Sequence, residues 1–177
     1  MKAIIDKLIE PHMALPAIGS AIMPLLARLV FAGVLLIYFW NSAGTKLEGI
    51  FTLDFGAYAQ IFPKKFEEVG YDLSQMSMLD TLIVYAGTYT EYLFPALILV
   101  GLFTRLAALG MIGFIGVQSL TDIYGHGIDA ATIGTWFDRA SNSLIVDQRA
   151  FWVFVLIYLF FRGAGAISLD RLVLGRN

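Results

Sequence analysis

Four apolar runs, each too hydrophobic for a helix that water must solvate, constrain this chain more than any other feature. The first covers about 22–40 and is broken only by Arg28. The second covers about 79–103 and carries Glu91 near its middle. The third, about 105–121, lies between Arg105 and Asp122, and the fourth, about 147–162, has only twelve uncharged residues between Arg149 and Arg162. A membrane-crossing helix needs about 20 residues, so the fourth must borrow length at its ends. Both of its arginines are expected to reach outward for lipid headgroups.

Composition agrees. The hydrophobic fraction is 58%, against about 45–50% for an average soluble domain, and mean hydropathy is +0.74. The 177 residues suit one domain, 1–177. The expected fold is an all-α, integral membrane four-helix bundle with short amphipathic interfacial segments. The bilayer is the first partner, and a net charge of −2 argues against nucleic acid. With no cysteine, disulfides, thiol nucleophiles and cysteine-ligated iron–sulfur clusters are excluded. His12 and His126 both lie outside the apolar runs, which disfavours histidine-held haem.

The segments between the runs are also patterned. Ile4, Ile5, Leu8 and Ile9 share one face before Pro11 and Pro16, so residues 1–20 read as an interfacial helix. Asp6, Glu10 and the lack of an A-x-A site make this a poor signal peptide. Phe55, Tyr58, Ile61, Phe62, Phe66 and Val69 form one helical face with Pro63 inside it, and Ile133, Trp136 and Phe137 punctuate residues 122–148. Both segments are expected to lie on the bilayer surface. With four spans, the side holding the termini carries six basic residues (Lys2, Lys7, Arg105, Arg162, Arg171, Arg176) and three acidic ones (Asp6, Glu10, Asp170). That balance favours cytoplasmic termini, with Trp40, Trp136 and Trp152 in an outer aromatic belt.

Arg28 and Glu91 are the informative charges, because ionisable groups in a span face the bundle interior and seek partners. Counting 1.5 Å per residue puts Arg28 roughly 9–10 Å and Glu91 roughly 18 Å from the terminal side, within reach of an extended arginine. An Arg28–Glu91 pair, direct or through water, is therefore expected. Pro95 removes the donor that would serve the Glu91 carbonyl, and Thr88, Tyr85, Tyr89 and Tyr92 lie near in sequence. Two readings stand: a structural pair that fixes packing, or a ligand, quinone or proton site. Ala107, Gly110, Gly113 and Gly116 read as a stripe for close helix packing. Asp122, His126 and Asp129 resemble loose metal ligands but fall in a glycine-containing loop, so a solvated loop and no metal are expected. Lys64–Lys65 and Asp138–Arg139 read as solvent or headgroup contacts.

Three segments resemble the DoxX family of small four-helix membrane proteins: ARLVFAGVLLIYFWNSAGTKL at 27–47, EYLFPALILVGLFTRLAALG at 91–110 and GAGAISLDRLV at 163–173. The Gly44–Lys46 spacing is tighter than the family pattern, which leaves Lys46 without an assigned role. The resemblance implies a bacterial inner-membrane bundle in which Arg28, Glu91 and Arg105 match recurrent charged positions. Some members look like membrane subunits of quinone-linked oxidoreductases, and others are associated with oxidative-stress enzymes. The function so implied is an accessory membrane subunit of a redox or oxidative-stress system, with Arg28, Glu91, Thr88, Tyr92 and Arg105 as candidate ligand-binding residues. No cofactor is evident in the chain, quinone is the candidate ligand, and a membrane or soluble redox protein is the candidate partner. A homo-oligomer stays open. The alternatives are a small proton-linked transporter using Glu91 and a scaffold with no ligand.

Overall fold

The computed structural model describes residues 19–20 and 22–175. The amphipathic helix expected over 1–20 lies outside the described residues, apart from Gly19 and Ser20. Four long helices dominate: Ile22–Gly44, Met78–Val100, Thr104–His126 and Leu144–Arg162. Only 17% to 28% of the most apolar window of each is buried. Outward residues such as Ile22, Leu29, Val34, Leu106, Phe151 and Phe154 stay exposed. A water-soluble bundle would not leave such faces bare, so lipid is the solvent they are built for.

Local chemistry fixes the helix ends. The second span starts at a capping box: Ser77 Oγ accepts from Asp80 N–H at 3.2 Å, and Asp80 Oδ2 accepts from Ser77 N–H at 2.8 Å. It stops at Gly101, whose φ of +69° lets Gly101 and Leu102 N–H bond back to Ile98 and Leu97 carbonyls. A three-residue turn, Gly101–Phe103, then launches the third span antiparallel to the second. The core runs through Phe31, Leu35 and Phe39 of the first span, Ile98 of the second, Ala107, Met111 and Ile115 of the third, and Leu156 and Leu159 of the fourth. Phe39 meets Phe114 and Trp152 edge-on, with centroids at 5.9 and 6.4 Å.

The fourth span gains its missing length at its start. Ser143 and Asp147 cap each other across a wide turn, at 2.9 and 3.3 Å, and the helix begins at Leu144. Of the two flanking arginines expected to reach for headgroups, Arg162 is exposed and Arg149 is not. Arg149 is 3% exposed and turns into the bundle. Its charge is met there by Asp122 at 2.5 Å and its guanidinium donates to Ser119 Oγ at 2.9 Å.

Two linking regions differ from the sequence reading. After the first span comes a small antiparallel hairpin, Leu47–Gly49 with Thr52–Leu53, which the patterning had not indicated. The helical face with Pro63 inside it is two helices, Phe55–Ile61 and Pro63–Glu68. Proline has no N–H to continue a helix but suits a first position, so the chain breaks at Phe62 and restarts. These helices do more than lie flat. Ala57, Tyr58, Phe66, Met76 and Val84 form a second core against the second span, and Lys65 pairs with Asp80 at 2.6 Å instead of reaching only solvent. The presumed loop from Asp122 is helix as far as His126. Asp129 caps Ala130–Ile133 through Thr132, bonds that hold its carboxyl below the usual carboxylate range. Among the described residues no group of three histidine, cysteine or acidic side chains could hold a metal ion.

Candidate functional site

Arg28 and Glu91 do not meet. Arg28 is 4% exposed, and its guanidinium donates to four backbone carbonyls. These are Ile98 at 2.9 Å, Leu99 at 2.6 Å, Ala164 at 3.0 Å and Ile167 at 2.6 Å. The last turn of any helix leaves carbonyls without donors, and a guanidinium fork is well shaped to serve them. Side-chain direction explains why the expected pair fails. Helical side chains lean toward their own N-terminus, and the first two spans are antiparallel. Arg28 therefore leans toward the Gly101 turn, while Glu91 leans the other way.

Glu91 instead holds Lys46. The ammonium lies 3.1 and 3.0 Å from the two carboxylate oxygens, and their side chains are 5% and 4% exposed. Lys46 follows the end of the first span and folds back, donating also to the Ser42 carbonyl at 3.0 Å and Ser42 Oγ at 2.9 Å. Its three hydrogens are thus fully engaged. The available signal was a lone basic residue just past an apolar run, free to lean back toward a mid-span carboxylate.

This ion pair forms one wall of a cavity of about 440 Å³ between the second and third spans, roofed by the short helix Phe55–Ile61. Ile83, Ala86, Gly87, Thr90, Glu91 and Phe94 line one side; Gly110, Gly113, Phe114, Val117, Gln118, Thr121, Asp122 and His126 line the other. From Gly110 to His126 the groove runs roughly 24 Å at the rise of a helix. Phenylalanines floor it deep in the bundle, and Gln60, Thr121, Asp122 and His126 make its far end polar. His126 Nε2 lies 3.1 Å from the Gln60 carbonyl.

The small-residue stripe divides here. Ala107 packs in the core, and a Cβ on Gly110 would lie 2.3 Å from the Phe94 ring, so glycine is what allows that approach. Gly113 and Gly116 have open space beside them, and Gly113 leaves room in the groove where packing had been expected.

The remaining sequence-predicted residues scatter. Thr88 is fully buried, donates to the Val84 carbonyl at 2.8 Å and does not line this groove. Tyr92 lies against Gly44 and Trp40 beside a separate shallow hollow under the hairpin, where its carbonyl accepts from Trp40 Nε1 at 3.1 Å. Arg105 is exposed near the Gly101 turn. Of the five candidates, only Glu91 lines the large cavity.

The three segments that carry the resemblance converge away from this groove as well as on it. Arg28, the Gly101–Thr104 turn and residues 164–170 lock together, with Asp170 accepting from Phe103 N–H at 2.7 Å and Thr104 N–H at 3.1 Å. Asp170 thereby caps a third span that has no side-chain cap of its own.

Four apolar helices, a pinned turn and an ion-paired lateral groove define a small multi-span helical membrane protein. The chain belongs to the DoxX family, whose model matches residues 23–121. No curated protein and no solved structure matches it.

Proposed function

We propose that this protein is an accessory membrane subunit of a redox or oxidative-stress system and holds a quinone-class ligand in the groove between its second and third spans. The observation that carries the reading is the groove itself. Its volume of about 440 Å³ lies within the range of about 300–1,000 Å³ typical of small-molecule sites. Phe94 and Phe114 offer flat apolar walls deep in the bundle, while Gln118, Thr121 and Asp122 offer polar partners nearer its end. Such a gradient suits a planar head with polar edges and an apolar tail. The chain has no cysteine and two histidines, so electrons would come from a partner protein. The proton-linked transporter reading is weakened because Lys46 already occupies the carboxylate it needs.

The test uses the intact protein purified in mild detergent, with mass spectrometry of co-purifying lipids, quinones and proteins. Gly113→Leu is the companion variant. An added side chain there meets nothing within 4 Å at its first carbon and extends into the groove. Leucine in a helix interior is also favoured over glycine by up to about 1 kcal/mol. Thermal stability is expected to hold or rise while bound quinone falls roughly tenfold or more, a loss of about 1.4 kcal/mol. Equal quinone in both proteins would remove the groove as its site.

Both termini are proposed to face the cytoplasm of a bacterial inner membrane. Glu68 and Arg171 are exposed near opposite ends of the bundle, and the chain has no cysteine to interfere. Glu68→Cys is expected to react with an impermeant maleimide in intact cells, and Arg171→Cys only after permeabilisation. The reverse pattern would invert the topology.

A further inference from the structure

Hydrogen-bonding capacity on the groove wall is unevenly spent. Each side-chain nitrogen there has a partner within the protein, while the Gln60 and Gln118 amides keep a second hydrogen and the Thr90 and Thr121 hydroxyls can donate or accept. Lys46 is engaged by Glu91 and Ser42, Gln118 Nε2 donates to the Tyr38 hydroxyl at 3.3 Å, and Gln60 Nε2 lies 3.4 Å from Thr45 Oγ1. His126 Nε2 must carry its hydrogen toward the Gln60 carbonyl, since a carbonyl can only accept. The need that only a donor can meet lies on two oxygens. Gln118 Oε1 is cut off from solvent with no hydrogen-bond partner, and only Oδ2 of Asp122 is taken up by Arg149. Gln118 and Asp122 stand one helical turn apart, and both line the groove.

We infer that the groove selects a ligand whose polar head donates hydrogen bonds, and so prefers a hydroquinone to the corresponding quinone. This rests on the quinone-class reading above. A quinone head offers only carbonyl acceptors, which leave Gln118 Oε1 and the second Asp122 oxygen unmet. A hydroquinone offers two hydroxyls, and an unmet acceptor in a desolvated site gains most from a donor. Gln118 is the specificity-determining residue, and the Asp122 carboxylate is the adjoining acceptor.

The experiment measures binding to the detergent-solubilised full chain under anaerobic conditions. Three probes of one size class are compared: a decyl-substituted benzohydroquinone, its oxidised quinone, and its dimethyl ether, which keeps the ring but has no donor. The hydroquinone is expected to bind about tenfold tighter than either of the others, the discrimination that one buried hydrogen bond supplies. Gln118→Leu should bring all three affinities together without abolishing binding. Tyr38→Phe removes the partner of Nε2 but leaves Oε1 in place, and should keep the preference. If none of the three binds, the quinone-class reading itself fails. Equal binding, or tighter binding of the quinone, with the groove still competent, overturns the preference alone.

Discussion

Glu91→Leu and Lys46→Leu are each expected to lower thermal stability in detergent substantially, and the double substitution is expected to lose much less than their sum. The two side chains are 4% and 5% exposed, so either change leaves an opposite charge in a nearly dry site. In soluble proteins, removing one member of a buried pair costs about 3–5 kcal/mol, whereas replacing both with apolar groups is often close to neutral. Lys46 retains its two bonds to Ser42 when Glu91 is lost, which anchors an ammonium with no counter-charge instead of releasing it. The double-mutant cycle isolates the coupling, and additive losses would mean that the 3.0 Å contact carries no energy. Arg28→Leu combined with Glu91→Leu serves as the contrast. Their losses should add, because Arg28 bonds to carbonyls at the end of the second span and in residues 164–167, and not to Glu91. The same proteins bear on function. If the Lys46→Leu, Glu91→Leu protein regains stability but retains no quinone, the pair contributes to the ligand site as well as to packing.

What the sequence made legible follows from which forces are local. The four spans are set by apolar composition over about 20 residues, and every one was found, including the fourth with its short uncharged core. The capping device that lengthens the fourth, Ser143 with Asp147, lies four residues apart and hid in a polar stretch. The convergence of Arg28, the Gly101 turn and Asp170 depends on contacts 66 to 139 residues apart in the chain, beyond any periodicity argument. The site was legible only in part. Glu91 stood out because a carboxylate in a span needs a partner, but helical rise alone chose the wrong one. Rise locates a Cα and says nothing of the direction in which a side chain leans, and that direction sends Arg28 and Glu91 apart. Asp122 was read as loop because glycine and aspartate follow closely, yet Arg149 reaches it from the fourth span and the helix continues past it. The groove had no sequence signature of its own. It exists because Gly113 faces open space while Gly110, one turn before it, is pressed against Phe94.

Arg28→Leu is expected to be among the most damaging single substitutions in the chain, and Arg28→Lys is expected to recover less than half of the loss. The guanidinium serves four carbonyls from two separate segments, the end of the second span and residues 164–167, at 2.6 to 3.0 Å. Hydrogen bonds to a charged group contribute about 1.5–3 kcal/mol each, though not additively, so a total above about 3 kcal/mol is expected. Lysine keeps the charge but presents one compact head, and cannot hold both segments as a planar fork does. Gly101→Ala should mimic the defect. Its φ of +69° is strained for any side chain, and a Cβ there would lie 2.7 Å from both Arg28 Cζ and Ser168 Cβ. The C-terminal segment is expected to loosen in either variant, since Arg28 and the Gly101 carbonyl, which accepts from Asp170 N–H at 2.7 Å, fasten it together with the Asp170 carboxylate. Limited trypsin treatment in detergent reads this directly. Cleavage after Arg162 and Arg171 is expected to accelerate in Arg28→Leu and Gly101→Ala, and to stay at the unmodified protein's rate in Arg105→Leu, whose side chain is exposed. Unchanged cleavage in Arg28→Leu would show that the closing segment is fastened without it.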